Sequence, residues 1–382
     1  MIYRVKNAQI YADASLNTKN GLLFSIENGV SRIISEIPDG CEVETIDANG
    51  ALLFPAFTDI GAKCYDKCRE NSESQETASA AASAGGYRRI VTLGGNCFGD
   101  GRVVTAENVS NGAKSGIVYG FYGDGDIYET LSTIKKNDAL YISAGIKDTA
   151  NGGFARGIAS KMSGTIGFSR YDECGELSKL LFAAYETGAR VHVMAIGCKE
   201  ALEMVKSAKK AGAAVTVGVS PFHLALTEND VAFYGANCKL LPPLRSGSDR
   251  EALREGLFDG SIDTVSSLHT PLSKSEKAGV NGARYGLCSI ETTLPVLMTY
   301  LRELEEKPRR IAEIMALKPS EIIGEGYSLR EGQSADFVLV DKRSELVISS
   351  NTLKSKCLNT PFLGQTLLGC NPILYLNGKR NG

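Results

Sequence analysis

The sequence predicts an α/β protein: a (β/α)8 TIM barrel with a small β-sandwich domain built from both chain ends. Through the middle of the chain, short apolar runs alternate with stretches of helical periodicity, the pattern of parallel strands joined by helices. At both ends the alternation gives way to β-rich runs broken by Asn, Gly and Asp turns. The 382 residues, 43% of them apolar, suffice for one elaborated barrel or two ordinary domains.

Taken in order, residues 1–11, 21–35 and 42–47 read as strands, and residues 335–341 and 372–378 resume the same texture. This predicts a composite β-domain over 1–50 and 327–382 around a barrel over 51–326. The expected barrel strands are 52–60, 90–93, 117–122, 139–143, 165–168, 191–196, 215–219 and 264–268, eight in all. Leu177, Leu180, Leu181 and Ala184 form one helical stripe ending at Gly188. Leu202, Val205 and Ala208 form another ending at Gly212, and Asp249 is the expected cap of a third that runs to Gly260.

Composition narrows the function classes. With 42 basic and 44 acidic residues interspersed, no broad cationic field exists for nucleic acid or an anionic membrane. No apolar run is long enough to span a bilayer, and the opening residues lack the pattern of a signal peptide, so a cytoplasmic protein is expected. The ten cysteines are scattered without a C-x-x-C pair, which predicts reduced and mostly buried thiols. Cys64 and Cys68 can share a helical turn, yet two thiolates do not close a tetrahedral site.

In a barrel the chemistry lies at the carboxyl ends of the strands. There the chain resembles dihydroorotase, in Leu53-Phe54-Pro55-Ala56-Phe57-Thr58-Asp59, Ala84-Gly85-Gly86-Tyr87 and residues 187–193 with Lys199-Glu200. The likeness continues through residues 215–227, Pro242-Pro243-Leu244-Arg245, Asp249 to Leu253, Asp259 to Asp263, Gly286 to Pro295 with Glu291-Thr292, and the tail Lys354 to Gly364. It is weakest between Asp100 and Arg170.

The resemblance implies zinc held by imidazoles and carboxylates, which polarises a cyclic amide and delivers hydroxide. At the implied ligand positions the chain has Gly61, Lys63, Ala144, Ala195 and Leu268. An alternative alignment places the fourth-strand ligand beside Phe168-Ser169, at Arg170, and the segment between Gly145 and Glu173 is abbreviated around strand five. Leu268 also stands at the implied general base, where a charge is needed. The implied substrate contacts fall on Tyr65, Gly95 and Leu272, with Asn96 one residue out of register. Substrate-pocket candidates are therefore Lys63, Tyr65, Asn96 and His269, with no catalytic residue, no metal and no cofactor expected.

The chain has three histidines. His192 and His223 read as structural, whereas His269 lies at the catalytic face. Gly94-Gly95-Asn96 reads as a tight turn or an anion cradle, and Asp148 to Gly157 as a loop. Lys161, Arg170 and Lys63 form a cationic pocket only if they converge, and Glu303 to Glu306 read as a solvated helix face. The leading expectation is a non-catalytic scaffold or regulator of pyrimidine biosynthesis, homo-oligomeric, with aspartate transcarbamoylase the partner the resemblance implies. Two alternatives stand beside it: cyclic-amide hydrolysis around Lys63, His269 and Asp59 with a displaced or absent metal, and a small-anion sensor.

Overall fold

The computed structural model describes residues 1–62, 73–92, 117–122, 127–146, 170–280 and 282–381. Both chain ends supply strands to two facing sheets. In the first, β1 (Ile2–Lys6) lies antiparallel to β3 (Leu22–Glu27) and parallel to β5 (Val43–Asp47), and β3 forms a hairpin with β4 (Val30–Ile33). Asn28 and Gly29 both take positive φ at the hairpin tip, the geometry that lets a two-residue turn follow the strand twist. The second sheet runs in the order β18 (Lys379–Asn381), β17 (Ile373–Leu376), β14 (Phe337–Val340), β6 (Leu52–Pro55) and β2 (Gln9–Ile10). Val5, Leu22, Phe24 and Ile33 of the first sheet share one buried layer with Leu53, Phe337 and Leu339 of the second.

The second unit is built on parallel strands. β7 (Phe57–Ala62) pairs with β8 (Tyr87–Thr92). A five-stranded sheet joins β9 (Ile117–Tyr122), β10 (Leu140–Ile146), β11 (Arg190–Val193), β12 (Val215–Val219) and β13 (Thr264–Val265) in sequence order. Helices Gln75–Ala84, Ile127–Lys136, Arg170–Thr187, Lys199–Ala211 and Gly247–Phe258 lie between them in sequence. The expected stripes are buried: Leu177, Leu180, Leu181 and Ala184 on one helix, Leu202 and Val205 on another. Gly212 ends the latter helix at φ 98, where its missing Cβ makes the left-handed cap inexpensive.

The structure corrects several expectations. The run 52–60 is two strands, because Ala56 N still bonds Asp336 O whereas Phe57 N already bonds Gly86 O. Residues 52–55 therefore belong to the terminal sheets, and the chain changes partner within one residue. The expected strand at 165–168 lies outside the described residues; β10 pairs directly with β11. The cap of helix Gly247–Phe258 is Ser246, whose hydroxyl accepts from Asp249 N; Asp249 is the reciprocal member of the capping box. Finally, residues 345–370 leave the terminal sheets. Ile348, Phe362 and Leu367 pack with Phe222, Leu240 and Val296 against the parallel unit.

Candidate functional site

Asp59 on β7 is fully buried, and its carboxylate joins the first parallel strand to the last. Its Oδ1 accepts from Gly61 N at 3.1 Å and Ser267 N at 3.2 Å, and its Oδ2 accepts from the Ser267 hydroxyl. Burial pushes this acid up to about 6, against the lowering effect of those hydrogen bonds. Beside it, a Cβ added to Gly61 would lie 2.7 Å from Ser266 Cβ and 3.3 Å from Met194 Cε. Neighbouring side chains thus fill the space that a side chain at 61 would enter. Ala195, next to Met194, is buried. Leu268 takes the left-handed backbone at φ 51, unusual for a non-glycine residue, and packs partly buried against Ile60, Val91, Ile142 and Met194.

His269 is fully buried one residue on. Its Nδ1 accepts from Ser289 N at 3.0 Å and Ile290 N at 3.3 Å, which places the proton of the neutral ring on Nε2. That Nε2 has no hydrogen-bond partner and faces Glu73 Oε2 at 3.9 Å. Burial lowers the imidazole to about 3, so it stays neutral at ordinary pH.

Glu73, which sequence reasoning missed, accepts from Lys356 N at 3.1 Å and from the Ser355 and Thr77 hydroxyls. Glu291 accepts from Lys354 N at 2.7 Å and Ser355 N at 2.8 Å, and burial pushes it up to about 7 with Glu73 adding to the rise. Together the two carboxylates clamp residues 354–356 beside the end of the last strand. The available signal for Glu73 was its place just before the Ser74-x-x-Thr77 helix cap.

The other histidines serve the framework. His192 bonds Thr216 Oγ1 at 2.9 Å, and His223 bonds Ser220 Oγ at 2.7 Å and Pro242 O at 2.9 Å. Arg170 does not supply a free cation, since it pairs with Glu200 and Asp249, each at 2.6 Å. Lys63, Tyr65, Gly95, Asn96 and Lys161 lie outside the described residues, and Ala144 lies on β10. Of the substrate-pocket candidates, the structure places His269 alone, and it is enclosed among backbone amides and Glu73. Among the described residues, no three His, Cys, Asp or Glu side chains come together to hold a metal ion.

Comparison with known proteins identifies this framework. The chain is 30% identical over 421 residues to a dihydroorotase of Listeria innocua serovar 6a, covering 99% of this chain and 98% of that protein. A Staphylococcus epidermidis dihydroorotase is 30% identical over 408 residues, covering 94% and 96%. The chain belongs to the dihydroorotase family. No family model matches it. Solved structures share its fold: dihydropyrimidinase from Brevibacillus agri at TM-score 0.81 and 19% identity, covering 100% of this chain and 95% of that one. L-hydantoinase from Arthrobacter aurescens gives TM-score 0.81 and 20% identity, covering 99% and 95%. The dihydroorotase family thus accounts for the two-unit α/β architecture, and its likeness runs the length of the chain rather than through one motif. No helix among the described residues is long and apolar enough to cross a membrane.

Proposed function

We propose that this chain is a non-catalytic member of the dihydroorotase family, retained in the cytoplasm as a scaffold or regulator of pyrimidine biosynthesis. The observation that carries this reading is the state of the strand ends. Zinc, which the family resemblance implies, needs imidazole or carboxylate donors. Gly61, Ala195 and Leu268 supply none, and Met194 and Ser266 crowd the space beside Gly61. Among the described residues, these strand ends do not fit the metal. In this proposal the parallel strands belong to a (β/α)8 barrel abbreviated around strand five, beside a terminal β-sandwich.

Residual cyclic-amide hydrolysis around Lys63, His269 and Asp59 has less support, because framework bonds occupy the Asp59 carboxylate and His269 Nδ1. A small-anion sensor draws on a specific feature: the hydroxyls of Ser143 and Ser266 are buried without a hydrogen-bond partner. As a scaffold, the chain is proposed to self-associate and to bind aspartate transcarbamoylase.

Elemental analysis of protein purified without chelators, with a dihydroorotate turnover assay, tests the central claim. Far less than stoichiometric zinc and no turnover are expected; about one zinc per chain with turnover overturns it. Co-expression followed by size-exclusion chromatography tests the partner, with co-elution expected and separate peaks refuting it. Thermal shift with dihydroorotate, carbamoyl aspartate and orotate decides between scaffold and sensor, because a ligand of the native state raises Tm.

A further inference from the structure

We propose that Cys174 and Cys198 are a dithiol that closes to an intramolecular disulfide under a hydroperoxide, stapling helix Arg170–Thr187 to the chain leaving β11. Their sulfurs lie 3.8 Å apart and share a hydrogen bond. Cys174 is half-buried on the first turns of its helix, whereas Cys198 is buried at the position preceding helix Lys199–Ala211. A disulfide needs about 2.0 Å between sulfurs, a closure that side-chain rotation can supply if the backbones are held.

They are held. Glu173 Oε1 accepts from Gly197 N at 2.7 Å, immediately beside the pair, and Arg170 bridges to Glu200 and Asp249. These bonds bracket both cysteines and hold their two backbone segments beside each other.

The chemistry balances with the hydroperoxide as oxidant. The Cys174 thiolate attacks the peroxide oxygen, the O–O bond breaks, and an alcohol or water leaves, giving a sulfenic acid. Cys198 gives up its proton, its sulfur attacks the sulfenyl sulfur, and water departs as the S–S bond forms. Two thiols are oxidised by two electrons in all, and one peroxide is reduced. Burial and then the Glu173 carboxylate push both thiols upward, so closure is slow near neutrality and faster as pH rises.

The test uses the full chain treated with hydrogen peroxide, blocked with iodoacetamide and mapped by non-reducing tryptic digestion. Lys179 and Arg190 place the two cysteines on separate peptides. A single linked pair lighter by two hydrogens, cleaved by dithiothreitol, is expected, with its rate rising with pH. The oxidised protein should melt a few degrees higher. Cys174→Ser should abolish the link and leave the reduced melting transition near wild type, and Cys198→Ala provides a second variant. Recovery of Cys174 as a sulfinic acid, or bonded to another cysteine while Cys198 stays alkylated, overturns the proposal, as does full alkylation of both after peroxide.

Discussion

Gly61 is constrained by its neighbours rather than by its φ. Any Cβ there must displace Ser266 Cβ, a short and stiff obstacle, at 2.7 Å. Gly61→Ala is expected to cost about 1–3 kcal/mol by overpacking, and Gly61→His more. Chemical denaturation checks this, and adding Ser266→Gly should recover much of the alanine loss, since it removes the nearest clash. A histidine restored at 61 alone is therefore expected to unsettle the strand end before it could recruit a metal.

Single titrating groups give the protein opposed pH dependences. Burial lowers His192 and His269 to about 3 and His223 to about 4, from an ordinary 6.5. Their folded state resists protonation, so the stability they contribute is complete above the unfolded value and is lost as pH falls toward those folded values. Glu291, raised from 4.5 to about 7, acts the other way: its contribution is full below 4.5 and is lost as pH rises toward 7. Glu291→Gln should flatten that alkaline-side loss in urea titrations at stepped pH. It should also cost about 1–3 kcal/mol, because an amide NH2 would face one of the two backbone N–H donors.

At the scale of elements, one buried carboxylate sets how helix Arg170–Thr187 meets the strand ends. Glu173 receives Gly197 N at 2.7 Å and Arg245 Nη2 at 3.0 Å, tying the helix both to the exit of β11 and to the Pro242-Pro243-Leu244-Arg245 segment. Glu173→Ala is expected to destabilise by about 3–5 kcal/mol, because it leaves a desolvated guanidinium short of its carboxylate. Hydrogen exchange should locate the loosening at the start of helices Arg170–Thr187 and Lys199–Ala211 rather than in the terminal sheets. If protection fell uniformly instead, the helix would not be the element this residue positions.

For the whole molecule, Arg88 links the parallel unit to the terminal one. It reaches from β8 to Glu325 at 2.8 Å and Asp336 at 3.3 Å, and its guanidinium lies 4.1 Å from the centre of the Tyr327 ring. Arg88→Ala is expected to cost about 3 kcal/mol and to separate the unfolding of the two units. Near- and far-ultraviolet circular dichroism melts that still coincide would show that the units are coupled by other contacts. The link lies beside the terminal sheet: β6 pairs with β14, and Arg88 bonds Asp336 just before β14.

The sequence by itself determined the alternating α/β plan, the apolar helix stripes and the β texture of both ends, because periodicity and turn residues are local signals. It also determined that Gly61, Ala195 and Leu268 carry no metal donor, since that is a property of side-chain chemistry alone. Only the tertiary structure decided where 52–60 breaks, because a continuous apolar run does not say which sheet receives its amides. Only the fold brought Glu73 to His269 and Glu291 to the tail across long sequence separations, where burial gives each group its titration behaviour. The crowding beside Gly61 and the contact between Cys174 and Cys198 are likewise matters of which strands and helices become neighbours, and spacing along the chain holds no record of that.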